Sequence, residues 1–342
     1  YEKGAVPPGV ASIPELEGYQ PPAAAGLLPQ LSLLDNGFNG RVQGSYHLRS
    51  AYDSTRLEIT VPLNDSTTLE GVSLLLNANT EPLQSDFQLP VEVPSDSIFQ
   101  ADVVLKAYLD GVELKVGGQS YVYDVDETPV AEYFNDFDQT TGDFARLGFN
   151  IYQEEGFDNA ALHSLHPYPG FDSELIAVMQ QPLTIREESA GLSFDEIVLV
   201  EPGEPGSFFG SLFYYDYVTV EGTADSGATW QTLAAYDSDK DAIWKVFFLS
   251  GRDGSPSLLR NRTIPLNNFF DPGQQVYLRF RLVADTFSEG WGWMIDNLTY
   301  PDAVTDVEVR TMATFATVCA ILELHPPQPL DAAPVLEILE LR

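Results

Sequence analysis

The sequence predicts an all-β protein built as two sandwich-like domains in series. Three observations predict it. Aromatic residues make up 12% of the 342 residues, beside 26 Gly and 24 Pro, a mixture that favours strands and turns over helices. Apolar residues alternate along strand-length runs, as in Leu57-Glu58-Ile59-Thr60-Val61-Pro62-Leu63 and Val276-Tyr277-Leu278-Arg279-Phe280-Arg281-Leu282, so one face of each run turns inward. An Asp110-Gly111 pair separates two further alternating runs, as the φ > 0 positions of a two-residue hairpin turn require. The length suits two domains of roughly 100–200 residues each.

Taken in order, residues 1–36 read as an extended Pro-rich arm or linker. Pro7-Pro8, Pro14, Pro21-Pro22 and Pro29 recur without period, and proline lacks the donor that strands and helices use. Residues 37–128 read as an immunoglobulin-like β-sandwich. Gly71–Leu76 is an apolar run of strand length, Val103/Leu105/Ala107/Leu109 and Val112/Leu114/Val116 form the hairpin arms, and Tyr121-Val122-Tyr123 supplies a last strand. Residues 129–301 form the second unit, dense in aromatics and Gly, with turn signals at Asp225-Ser226-Gly227 and Asp271-Pro272-Gly273. Residues 302–342 read as a tail or the start of a truncated domain: Val307–Leu324 has mixed periodicity, and Pro326-Pro327 and Pro329 then break the chain.

Charge narrows the partners. There are 51 acidic against 17 basic residues, a formal charge of −34. Such a surface repels nucleic-acid phosphate and anionic membranes. No run approaches the roughly 18 apolar residues of a membrane span, so neither nucleic-acid binding nor membrane insertion is expected. Lysine stands only at Lys3, Lys106, Lys115, Lys240 and Lys245, a balance that salt screening would suit. Cys319 is the single cysteine, which precludes an intrachain disulfide and fits a cytosol or a bacterial exterior where cores and bound ions stabilise the fold. The chain starts at Tyr1 and shows no signal peptide, as a processed start or a fragment would.

Ordered motifs in the second unit carry a family resemblance. They run from Phe134-Asn135-Asp136-Phe137 and Gly148-Phe149 through Ala161-Leu162-His163-Ser164-Leu165-His166-Pro167-Tyr168 to Ile197-Val198-Leu199-Val200. The loop Glu201–Ser207, the strand Tyr215–Gly222 and the turn Asp225-Ser226-Gly227-Ala228-Thr229-Trp230 follow. Arg279-Phe280-Arg281-Leu282 and Gly290-Trp291-Gly292-Trp293-Met294-Ile295-Asp296-Asn297-Leu298 close the set. Together they resemble a jelly-roll module of secreted and surface proteins of the Bacteroidetes group, related to MAM-like and immune-inhibitor-A-type C-terminal modules. The resemblance implies a jelly-roll β-sandwich over 129–301, an extracellular or cell-surface location, and an accessory role beside proteases, glycosidases or adhesins. It also implies a calcium ion shared by an acid near the first strand, Asp136 or Asp138, and Asp296 in the last.

Read as residues alone, Trp291 and Trp293 alternate around Gly292 and so project to one side of a strand, with Ile295 following. Two readings stay open for them: indoles that fill the core, or an exposed platform on which a sugar stacks. Asp237-Ser238-Asp239-Lys240-Asp241 lacks the glycine and distal glutamate of an EF-hand loop and reads as a solvated acidic turn. His163 and His166 lack the further Cys and His partners of a structural zinc, so one of them is expected to satisfy a loop by hydrogen bonds. There is no Gly-x-Ser-x-Gly elbow and no glycine-rich nucleotide loop. The sequence therefore predicts a non-catalytic protein that recognises a glycan or a surface protein partner. Two alternatives stand beside it: a structural subunit of a larger surface assembly docked through arm and tail, and the accessory part of a larger secreted hydrolase.

Overall fold

The computed structural model describes residues 28–34, 38–64, 67–69, 73–76, 81–139, 142–170, 173–188 and 190–302. The arm before residue 28, and the tail from residue 303 with Cys319, lie outside the described residues.

The first sandwich contains β1 (Gln30–Leu33), β2 (Arg41–Leu48), β3 (Ser54–Asn64), β4 (Thr67–Leu69), β5 (Ser73–Leu76), β6 (Leu83–Pro90), β7 (Phe99–Leu109) and β8 (Val112–Val122). One sheet runs β1-β2-β6 and the other β4-β3-β7-β8, with β5 also on β3. The alternation of β3 does what the sequence demanded: Leu57, Ile59 and Val61 are buried and meet Val103 and Leu105 of β7 and Val42, Tyr46 and Leu48 of β2 in one core. Asp110 (φ 50°) and Gly111 (φ 78°) make the tight turn between β7 and β8, with both central residues left-handed as the strand twist requires. Strand β1 falls inside the stretch read as an arm. It pairs with β2, and Leu31 and Leu33 pack on the core; in the sequence the neighbouring prolines obscure this short alternation.

The second sandwich contains β9 (Tyr133–Asn135), β10 (Phe144–Leu147), β11 (Phe149–Tyr152), β12 (Ala161–Ser164), β13 (Glu174–Met179), β14 (Leu183–Thr184), β15 (Gly191–Leu199), β16 (Tyr217–Thr223), β17 (Gln231–Tyr236), α1 (Ala242–Leu249), β18 (Arg260–Pro265), β19 (Gln275–Val283) and β20 (Gly292–Asp302). Its sheets run β10-β13-β19-β16-β17, with β14 on β19, and β11-β12-β20-β15-β18, with β9 on β20. From β10 onward the chain passes repeatedly from one sheet to the other, and every pairing between named strands is antiparallel. Phe280 and Leu278 of one sheet meet Phe194, Val198 and Trp293 of the other in a single large core. The protein is thus all-β, as the sequence predicts, with α1 its sole α-helix among the described residues.

Helix α1 has a local cause. The Asp241 carboxylate accepts hydrogen bonds from the N–H groups of Ile243 (2.7 Å) and Trp244 (3.4 Å) and so caps the first turn. Trp244 is buried and donates to the Leu258 carbonyl at 2.8 Å. The acidic turn before the helix is only partly solvated. Asp237 is buried and accepts from the N–H groups of Asp239 and Gly203, at 2.7 and 2.9 Å.

A third apolar cluster joins the two sandwiches. Phe38, Ile98, Tyr123 and Val125 from the first meet Ala145, Ile176, Val178 and Tyr277 from the second. The Phe38 ring stands edge-on to Tyr277 at 4.6 Å, and the Tyr277 hydroxyl donates to the Asp126 carbonyl at 3.0 Å. Among the described residues, no helix is long and apolar enough to cross a membrane.

Candidate functional site

The two tryptophans do not share a face. Gly292 has φ +97°, and this left-handed residue breaks the alternation on which the sequence reading relied. Trp293 points between the sheets against Phe149 and Phe280, at 6.3 and 5.6 Å. Trp291 lies on the opposite side of its sheet, its ring 4.1 Å from that of His163, which pairs with Met294, the residue that alternates with Trp293. A side chain on residue 292 would collide with Ser164, so glycine serves both the turn and the close approach. Trp293 is 0% exposed and its indole donates to Glu196 at 2.9 Å. The reading of Trp293 as a ligand platform is therefore corrected: it is core. Trp291 is 5% exposed, too little for a stacking face, but its edge reaches a cavity.

That cavity has a volume of about 240 Å³. It opens where β15 ends and β20 begins. Trp291, Leu199 and Phe248 give it apolar walls, and His166, Arg252, Asp253 and Glu289 bring polar groups to it. The turn carrying Arg252 and Asp253 lies directly over Trp291, since a Cβ on Gly254 would stand 2.5 Å from the indole. Behind the tryptophan, His163 is wholly buried. Its Nδ1 lies 2.7 Å from Glu154 and 2.9 Å from the Tyr152 hydroxyl, and its Nε2 lies 3.1 Å from the Trp291 carbonyl. Burial holds this imidazole below the ordinary histidine pKa, against the pull of Glu154. The hydrogen bond from His163 holds the Glu154 carboxyl down at about 2. His163 thus fixes the start of β20 beneath the cavity, the hydrogen-bonding role expected of one of the two histidines.

Of the expected calcium ligands, Asp138 lies near enough to Asp296 for its charge to act there. Asp296 accepts from Asn159 (2.9 Å) and from the Asn297 N–H (2.7 Å). Burial raises its pKa, and the charges of Asp195 and Asp138 add to this. Asp136 is engaged locally, accepting the Asp138 N–H at 3.2 Å. Among the described residues, carboxylate oxygens of three acids gather within 4.8 Å of one another elsewhere, at Glu201, Asp216 and Asp285.

Asp216 is buried and accepts from the Tyr168 hydroxyl (2.5 Å) and the Asp285 N–H (2.7 Å). Burial pushes its carboxyl up from 3.8 to about 6, with Asp285 and Glu201 adding repulsion. A folded state that holds a proton more tightly than the unfolded chain gains from it below the unfolded pKa. That gain is lost as the pH rises through the folded value. The melting temperature of Asp216→Asn relative to the parent should therefore be more favourable at pH 7 than at pH 4, whatever the amide costs by keeping one acceptor for two donors. Thermal melts at the two pH values check this; an equal difference at both would remove the carboxylate as the cause.

No protein-family model matches the chain, and no curated protein matches it. Among solved structures it is similar to a carbohydrate-binding module specific for non-crystalline cellulose, at 13% identity and a TM-score of 0.33, over 51% of this chain and 94% of that one. It is also similar to a structure of carbohydrate-binding modules from the β-sandwich superfamily, at 12% identity and a TM-score of 0.27, over 80% and 98% of the two chains. A SusE-like protein matches at 13% identity and a TM-score of 0.22, over 79% and 97%. Overlaps this slight transfer neither ligand nor partner.

Proposed function

We propose that the chain is a non-catalytic extracellular protein that recognises saccharides, holding one sugar ring in the cavity beside Trp291. The supporting observation is the lining: an indole edge and apolar walls facing four polar side chains, His166, Arg252, Asp253 and Glu289. Small-molecule sites combine apolar walls with a few placed polar groups in this way. The volume of about 240 Å³ falls below the roughly 300–1,000 Å³ of clefts for drug-sized ligands, which favours a single ring or a chain end.

The test uses Arg252 and Asp253, which are exposed and can be truncated without opening the core. A charged hydrogen-bond partner contributes about 1.5–3 kcal/mol, so Arg252→Ala with Asp253→Ala should weaken binding to the best ligand on a glycan array by at least about tenfold. Titration calorimetry on that ligand, with the melting temperature as a folding control, reads the effect. Unchanged affinity in the double variant removes this cavity from the reading.

A further inference from the structure

The ends of β16 and β19 remote from that cavity carry a second feature. Two cavities of about 470 and 430 Å³ adjoin there and share Ala224. The first lies over the start of β17 and the β18–β19 connection, with Gln231, Asn267 and Asn268 on its walls. The second continues across the seam between the sandwiches, with Gln43, Gln88 and Gln275 on its walls. These six amides come from chain positions far apart, and among the described residues their side chains take no hydrogen bond from the protein. Each offers a donor pair and an acceptor.

Of the four charged groups on these walls, Asp225 and Glu127 are spent on the scaffold, which leaves Asp271 and Arg41, one of each sign. Asp225 accepts from Thr223 (2.7 Å) and from the N–H and hydroxyl of Thr229 (2.9 and 2.6 Å). Glu127 accepts from Asn39 at 2.8 Å. Gln274, also on the wall, accepts the Asp271 N–H at 2.7 Å and stiffens the turn. The floor is held by Phe38 and Tyr277, which belong to the apolar cluster between the sandwiches. The surface is therefore preorganised, rich in uncharged hydrogen-bonding capacity and poor in free charge.

We infer that this groove binds a strand of uncharged polysaccharide across the seam between the two sandwiches. A sugar hydroxyl both donates and accepts, and an amide side chain answers both. Each cavity is as large as a whole small-molecule cleft, so together they span several rings, where the Trp291 cavity spans one. An acidic polysaccharide meets only Arg41 as a cation on these walls and a chain of formal charge −34, so it is repelled. The edge strands β17 and β6 reach this groove through Gln231 and Gln88, but a peptide added there would also need pockets for its alternate side chains, where amides stand instead. The inference does not depend on the Trp291 cavity.

The experiment is affinity electrophoresis in gels cast with a mixed-linkage glucan, a xylan or a galactomannan, with alginate as the acidic control. At least one uncharged polymer should retard the protein, and alginate should not. The pair Gln43→Ala/Gln88→Ala and the pair Gln231→Ala/Asn268→Ala should each weaken that retardation by about tenfold, as the loss of two hydrogen bonds per pair implies. Lys115→Ala, at an exposed position on none of these walls, should leave it unchanged. All four amides are at least partly exposed, and unchanged melting curves confirm folding. Migration unaffected by every uncharged polymer overturns the inference, as does equal retardation of parent and both amide pairs. An extended peptide that competes for the groove in the parent and not in the amide pairs would overturn it in favour of peptide recognition.

Discussion

Glu196→Ala should cost the second sandwich about 3–5 kcal/mol of stability, the range for removing one partner of a buried ion pair. Glu196 lies on β15 and points between the sheets, wholly buried beside Phe194 and Val198. Its carboxylate accepts from Arg262 on β18 (2.5 Å), from the Tyr236 hydroxyl on the opposite sheet (2.6 Å) and from Trp293 (2.9 Å). Arg262 also lies over the Tyr236 ring at 3.7 Å. Burial raises the Glu196 pKa, and the three donors oppose that rise. A site with three donors and no acceptor fits the ionised form. Alanine would strand a largely buried guanidinium and orphan two further donors. Urea denaturation measures the cost, and a loss below about 1 kcal/mol would show that water or a rearranged Arg262 satisfies the site. Pairing Glu196→Ala with Arg262→Met should recover much of the loss, because the stranded charge is then gone.

Trp293→Ala should be of similar size, about 3–5 kcal/mol, since it removes a fully buried aromatic side chain. The indole touches both sheets, with Phe149 on its own and Phe280 and Tyr236 across the interior. Trp293→Phe keeps much of that volume and should cost less, losing mainly the hydrogen bond to Glu196. The two sites share that bond, so the double variant Glu196→Ala/Trp293→Ala should destabilise by less than the sum of the singles. Additive losses would mean that the contact carries no energy of its own. Saccharide affinity should survive in Trp293→Phe, because the residue reaches neither cavity wall.

Period-two alternation made much of this fold legible. The run Val276–Leu282 became the central strand β19, with Val276, Leu278, Phe280 and Leu282 all buried, and Asp110-Gly111 turned where its φ preferences said it would. Three features escaped. Helix α1 is two turns of mostly apolar residues whose signal is one capping aspartate, and alternation cannot report so short an element. Asp237 sat in a run of charges that looked solvated, yet tertiary packing buried it as a backbone acceptor. At the Trp291–Trp293 pair, parity counting assumed an unbroken strand, and the positive φ of Gly292 reversed the answer. The candidate sites were less legible still. Arg252, Asp253 and Glu289 come from loops, and the groove amides range from Gln43 to Gln275, so no local pattern could gather them.

The apolar cluster under the seam bears on how this chain can be divided. A fragment severed at residue 128 would leave Ile176, Val178 and Tyr277 without Phe38, Ile98 and Tyr123 as neighbours. The bared flank would seek other copies in solution and clump. Neither half is therefore a ready-made cassette for fusion. The boundary at residue 128 is bridged by packed apolar side chains, so a polymer lying across it would load both bodies.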